Sequence, residues 1–283
     1  MIGEAAAPLT RPRRSGFLIV SIWVVVVVVF ASWWWVLRNG GSGSTGLFSA
    51  ETWENAGEFL EKLLGAGETT PAYRDPERWR EAAILALQTL AMSVLAIAFA
   101  AFGMLATIMV GARPTIDGER SALGRGLSIL TRGSYILTRA VPELIWAMFI
   151  VFVFSPGILA GALALGIHNY GVLGRLCAEG VENIDRRPVQ SIRATGAGSG
   201  QTLFYAILPA LLPGFLTYIL YRWEVIIRTT IVVGAVAAAG LGREFRLRMS
   251  FFHYSDVLLL LLVYVLLVFV VDGASVLLRR LAR

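Results

Sequence analysis

The sequence predicts an all-α, polytopic membrane protein with six transmembrane helices. Three observations point there. Of 283 residues, 57% are hydrophobic and only 16% are charged, against about 25% charged in ordinary soluble domains. Mean hydropathy is +0.69, too apolar for a chain of this length to present a water-exposed surface. The apolar residues also fall in runs of about 20, the length of a membrane helix, whereas barrel strands need about ten.

The first run, Phe17 to Leu37, carries no charge and as a helix spans about 30 Å, the bilayer's hydrocarbon thickness. Arg11, Arg13 and Arg14 precede it, placing the N-terminus in the cytoplasm. The run is too long for a cleaved leader, and Trp33, Trp34 and Trp35 suit the far interface. A Gly/Ser-rich hinge, Gly40 to Gly46, leads to an amphipathic stretch from Leu47 to Leu64. Its apolar and acidic sides suit a helix lying on the outer membrane surface.

The second span is expected from Ala82 to Val110, ending at Gly111-Ala112-Arg113-Pro114 before a polar turn with Asp117, Glu119, Arg120 and Arg125. The third begins near Leu127 and ends at Ser155-Pro156-Gly157; the fourth covers Ile158 to Cys177. Residues 178–209 are polar enough to leave the membrane, and Asp185-Arg186-Arg187-Pro188 interrupts any helix there. The fifth span, Leu211 to Ala239, closes in Gly240-Leu241-Gly242, with Arg243, Arg246 and Arg248 in the last outer loop. The sixth, Val257 to Leu278, precedes Arg279, Arg280 and Arg283 and returns the C-terminus to the cytoplasm. Residues 1–80 thus form an N-tail, first span and outer segment, and 81–283 a five-helix core with a cytoplasmic loop at about 180–209.

Composition narrows the function. One cysteine, Cys177, excludes a disulfide framework and a thiolate-rich metal site, and two histidines leave no multi-histidine site. The +6 net charge is nearly all arginine, Lys62 being the one lysine. These arginines flank apolar runs, the pattern of membrane orientation and not of a nucleic-acid face. No catalytic residue is expected: there is no GxxxxGK[ST], HExxH or GxSxG in the required context. Gly196, Gly198 and Gly200 lack the lysine and strand of a phosphate loop.

The informative residues are charges inside apolar runs, where each costs about 2.5–3.5 kcal/mol at the bilayer centre unless paired or wet. Arg132, Arg139 and Glu143 are spaced seven and four apart, on one stripe of the third span, and Pro142 is expected to kink it. In the fifth span Glu224 and Arg228, four apart, are expected to pair. Arg222 lies about 200° round the helix from Glu224 and needs another partner, for which Glu143 is the candidate. Two readings stand: ion pairs locking the bundle, or a wet path with excess positive charge, suited to an anion. His168-Asn169 in the fourth span adds polarity, the histidine as an interhelical hydrogen-bond donor or as part of that path.

The stretch from Gln190 to Pro209 resembles the cytoplasmic loop of type I ABC importer permeases. That loop has a Glu-Ala-Ala start, a glycine four residues after the second alanine, and an Ile-x-Leu-Pro-like end after nine more residues. Here Gly196 and Ala206-Ile207-Leu208-Pro209 keep the spacing, while Gln190, Ser191 and Ile192 replace the opening triplet. A closer resemblance, to the phosphonate-import permeases, covers most of the chain after residue 80. It is carried by RAVPELIWA at 139–147, His168, ENID at 182–185, LYRWEVIIR at 220–228, Gly240-Leu241-Gly242 and FHYSD at 252–256.

The resemblance implies a permease fold of that type, in a bacterial plasma (inner) membrane, importing phosphonate or a related phosphorus oxyanion. It implies a second permease chain, two ATPase subunits that hold the ATP and Mg, and an extracytoplasmic binding protein. Gln190 to Gln201 would be the coupling helix, docking through Gln190, Arg193, Ala194, Thr195, Gly196 and Ala197. Arg139, Glu143, His168, Arg222, Glu224 and Arg228 would line the translocation path. The rival is a stand-alone secondary transporter or channel whose carboxylates relay protons; no internal repeat of the kind common in such carriers is evident.

Overall fold

The computed structural model describes residues 16–39, 49–112, 122–237 and 239–281, and among these no strand occurs. Arg11, Arg13, Arg14, the Gly40–Gly46 hinge, the 113–121 turn with Asp117, Glu119 and Arg120, and Arg283 lie outside the described residues. Contacts divide the chain into two units, Met1–Glu61 and Lys62–Arg283.

The first unit holds helix α1 (Gly16–Asn39). Its two serines turn back onto their own helix: Ser21 Oγ donates to the Phe17 carbonyl at 2.9 Å and Ser32 Oγ to Val28 at 2.8 Å. No hydroxyl is left facing lipid unsatisfied. Helix α2 (Ala50–Leu63) follows, with no residue buried and the expected split between Trp53, Phe59 and Leu60 and the glutamates.

The second unit is the bundle: α3 (Pro76–Gly111), α4 (Ala122–Ala140), α5 (Glu143–Val153), α6 (Ile158–Glu182), α7 (Arg186–Ala194), α8 (Leu208–Ala237), α9 (Gly240–Ser250) and α10 (Tyr254–Leu281). A helical turn at Ser199–Thr202 and a π-helical turn at Leu203–Ile207 lead into α8. Asp75 caps α3, accepting from Glu77 N at 3.0 Å, with Pro76 at the first helical position, where its missing N–H costs nothing.

Four described helices, α1, α3, α8 with its lead-in turn, and α10, are long and apolar enough to cross a membrane; the pair α4/α5 makes five if counted as one span. Three expectations are corrected. The third span is not one kinked helix: it breaks at Val141-Pro142, and α5 leaves α4 at 98°. Proline lacks the amide that would continue the ladder and disfavours helical geometry in the residue before it. The fourth span, α6, falls outside the four because it is packed inside the protein, where apolarity toward lipid is not required. The outer segment with Arg243, Arg246 and Arg248 is not a loop but α9, stiffened by Arg248 Nε donating to Glu244 one turn back at 2.7 Å.

α6 is the axis of the bundle, packing against α3, α4, α5 and α8. Its buried face is built of small residues: Ala160, Gly161, Ala164, Gly166, Gly171, Gly174 and Ala178. A Cβ on Gly171 would stand 2.7 Å from the Tyr135 carbonyl oxygen and 2.9 Å from the Arg139 nitrogen, so this position lets two backbones touch. Met92 and Met104 from α3, Leu165 and Leu173 from α6, and Ile226 and Val233 from α8 complete the main core. A second core joins α10 to α8 and α9 through Ile227, Leu241, Leu259 and Val263.

Candidate functional site

The break between α4 and α5 gathers polar groups at mid-helix. His168 lies in the middle of α6, and its Nδ1 is 3.0 Å from the Val141 carbonyl. A carbonyl only accepts, so Nδ1 carries the proton and donates. His168 Nε2 then faces Glu143 Oε2 at 3.6 Å, at the first turn of α5.

Next to His168, Asn169 is 2% exposed and donates from Nδ2 to the Leu165 carbonyl at 2.7 Å. That bond leaves Asn169 Oδ1 facing α8, where Arg222 donates to it from Nε at 2.8 Å and from Nη2 at 2.6 Å. The partner of Arg222 is therefore a neutral amide. Glu143, expected to pair with it directly, takes His168 instead and acts on Arg222 only as a nearby charge. Trp223, the next residue, ties α8 to α3 through Nε1 and Ser93 Oγ at 3.1 Å. Arg139, in the last turn of α4, is exposed, and its side chain makes no ion pair or hydrogen bond among the described residues.

Glu224 and Arg228 do not pair with each other, as their spacing suggested; both turn to α10. Arg228 Nη2 meets Asp272 Oδ2 at 2.8 Å. Arg279 Nη1 lies 2.6 Å from Glu224 Oε1, an ion pair by distance without hydrogen-bond alignment. A helix that long faces α10 along this whole side, and an interhelical partner there wins over an i,i+4 pair worth only about 0.2–0.5 kcal/mol. Arg132 likewise pairs across helices, with Glu182 at the far end of α6.

Of the six expected path residues, Glu143, His168 and Arg222 thus converge with Asn169 at the break. Arg139 ends the helix before it, and Glu224 and Arg228 belong to the α8–α10 contact. Asn169 was expected only to add polarity beside His168, and its bond to Arg222 was missed; so were the pairings of Asp272 and Arg279, two charges in and beside the last apolar run.

Beyond α6, α7 is a separate short helix. Asp185 caps it by accepting from Arg187 N at 3.0 Å, and it starts at Arg186, so Pro188 lies in its first turn. It stops at Ala194, well short of the expected Gln201, because Gly196 takes φ +85° and its N–H closes on the Arg193 carbonyl at 2.9 Å. Val189 is buried as an anchor, while Gln190, Ala194, Thr195 and Gly196 are exposed and Arg193 and Ala197 half-buried.

The family model for binding-protein-dependent transport system inner membrane components matches residues 118–283. The chain belongs to this family. It is 35% identical over 240 residues to the phosphite transport system permease protein PtxC of Stutzerimonas stutzeri, covering 83% of this chain and 82% of that one. It is 40% identical over 141 residues to HtxE of the same organism, spanning 50% of this chain and just over half, 54%, of HtxE. In fold it matches an inward-facing MetNI methionine ABC transporter with TM-score 0.58 at 21% identity, over 70% of this chain and 94% of that one. The chain is accordingly a multi-pass membrane permease component with the ABC-importer permease fold, of a family that works with ATPase and binding-protein partners.

Proposed function

We propose that this permease passes a phosphorus oxyanion, phosphonate or phosphite, inward across a bacterial plasma membrane in an ATP-driven importer. Both termini are cytoplasmic, a second permease chain completes the pore, and two ATPase subunits holding ATP and Mg sit beneath. A binding protein delivers cargo from outside. The similarity to PtxC supports the substrate class. The observation that carries the reading is Arg222: a mid-span guanidinium whose direct partner is neutral, with Arg139 in the last turn before the break forming no ion pair among the described residues, leaves positive charge at the break. An anion in transit meets a site already organised for it. Arg139, Glu143, His168 and Arg222 line that path; Glu224 and Arg228 border it from the α8–α10 side.

Arg222→Met is the test. Uptake of radiolabelled phosphite by the assembled complex in proteoliposomes is expected to fall at least about tenfold, the loss of one charge-assisted contact; full uptake at normal assembly would remove Arg222 from the path.

The exposed face of α7 with Gly196 is the ATPase dock. A side chain at Gly196 meets nothing within 4 Å in this chain, so a bulky one protrudes outward, into whatever seats there. Its φ of +85° adds about 1–2 kcal/mol of local strain. In Gly196→Trp, ATP hydrolysis is expected to ignore the loaded binding protein. Wild-type stimulation in that variant would count against docking here.

A further inference from the structure

Breaking a helix releases backbone carbonyls, and at Val141-Pro142 two of these are taken up by side chains. In an unbroken helix the amide of residue 142 would donate to the carbonyl of Thr138, but Pro142 has none. The indole of Trp146 supplies the missing donor: Nε1 lies 3.1 Å from the Thr138 carbonyl. The Val141 carbonyl would take the amide of Ile145, but that amide bonds Pro142 O at 3.0 Å instead. His168 Nδ1 fills that place, at 3.0 Å. One donor comes from α5 and the other from α6, so the corner is held from both sides.

We infer that Trp146 is a positioning residue: its indole N–H, standing in for the amide Pro142 lacks, fixes the α4/α5 corner and so places Glu143 against His168 near Arg222. The ring itself packs against the main core, so its shape and its N–H are separable. Shape alone would hold α5 on the bundle while leaving its angle to α4 free. The N–H bond sets that angle, because it joins the first turn of α5 to the last turn of α4. The consequence for transport rests on the oxyanion-path reading; the corner itself does not.

The experiment replaces Trp146 by benzothienylalanine, which keeps the ring shape and exchanges N–H for sulfur. Spin labels at Ile129 and Phe152, both strongly exposed and away from the polar groups, report the corner angle by pulsed EPR on the full chain in nanodiscs. Wild type is expected to give one narrow distance, and the isostere a broadened or shifted one, with oxyanion uptake per assembled complex down about tenfold, the size of a lost hydrogen bond. An unchanged distance distribution in the isostere would overturn the inference. A changed distribution with wild-type uptake keeps the corner's N–H clamp and removes its role in transport. Loss of uptake on Arg222→Met with a wild-type isostere overturns only the clamp.

Discussion

Arg222 shows how a charge can be held in a membrane protein without being cancelled. A carboxylate partner would neutralise it; Asn169 instead offers one oxygen to two N–H groups and adds no charge. Such bonds to a charged group contribute about 1.5–3 kcal/mol each when the alternative is an unsatisfied buried donor. Asn169→Leu is therefore expected to destabilise the purified chain by about that amount, read as a lowered thermal midpoint in nanodiscs. Asn169→Asp separates holding from cancelling: the carboxylate satisfies Arg222 as well or better, so the fold should persist. Uptake of an oxyanion should nevertheless be lost, because the charge of Arg222 is then cancelled. Wild-type uptake by Asn169→Asp would show that the net charge of this cluster is irrelevant to the cargo.

Among the elements, α6 departs most from a simple hydropathy reading, and its glycines explain why. Close backbone approach to α4 at Gly171 leaves no room for a methyl group against the Tyr135 carbonyl and the Arg139 amide. Gly171→Ala is expected to cost about 1–3 kcal/mol through forced separation of the helices, measured by denaturant unfolding. Gly273→Ala in α10, where a Cβ meets nothing within 4 Å, should stabilise by up to about 1 kcal/mol from helix propensity. Equal effects at the two positions would refute the close-packing account. Long, strongly apolar spans, such as α1, α3 and α10, were legible because lipid contact demands that composition. α6 was legible as a helix but not as the axis, since burial among neighbours leaves no distinct periodic signature. Pro142 marked a discontinuity without giving its 98° angle, because a proline ends the ladder while the donors that hold the corner come from side chains, Trp146 and His168, that only the folded chain brings there. The dense charge of α9 read as a loop because its helix-stabilising pair, Glu244 and Arg248, is visible only once a helix is assumed. The site residues Glu143, His168 and Arg222 were evident as charges out of place. Their partners were not, because a helix turned by one residue rotates each side chain by about 100°, and tertiary packing chooses the rotation.

On the scale of the whole bundle, two kinds of intramembrane charge do different things. Arg228–Asp272 and Glu224–Arg279 join α8 to α10, opposite charges matched one to one, with Tyr264 OH adding a bond to the Arg228 carbonyl at 3.0 Å. Matched pairs lend a bundle register more than stability, since apolar side chains of similar size often replace them without loss, whereas removing one partner strands the other. Asp272 Oδ1 is already buried without a hydrogen bond, so among the described residues its carboxylate relies on Arg228. An importer needs such rigid pairs: alternating between inward- and outward-open arrangements requires blocks that move as units, driven by ligands with differential affinity for the two states. Arg228→Leu alone is thus expected to lower the amount of assembled complex sharply, by stranding Asp272 in an apolar setting. Arg228→Leu with Asp272→Leu should restore assembly, with oxyanion uptake per complex within about twofold of wild type, the scatter of a near-neutral apolar exchange. The same logic fails for Arg222, whose loss no second substitution should repair. If the double variant assembles normally yet transports nothing, Arg228 contributes to the path itself, and the division between a locking face on α10 and a polar centre at the α4/α5 break does not hold.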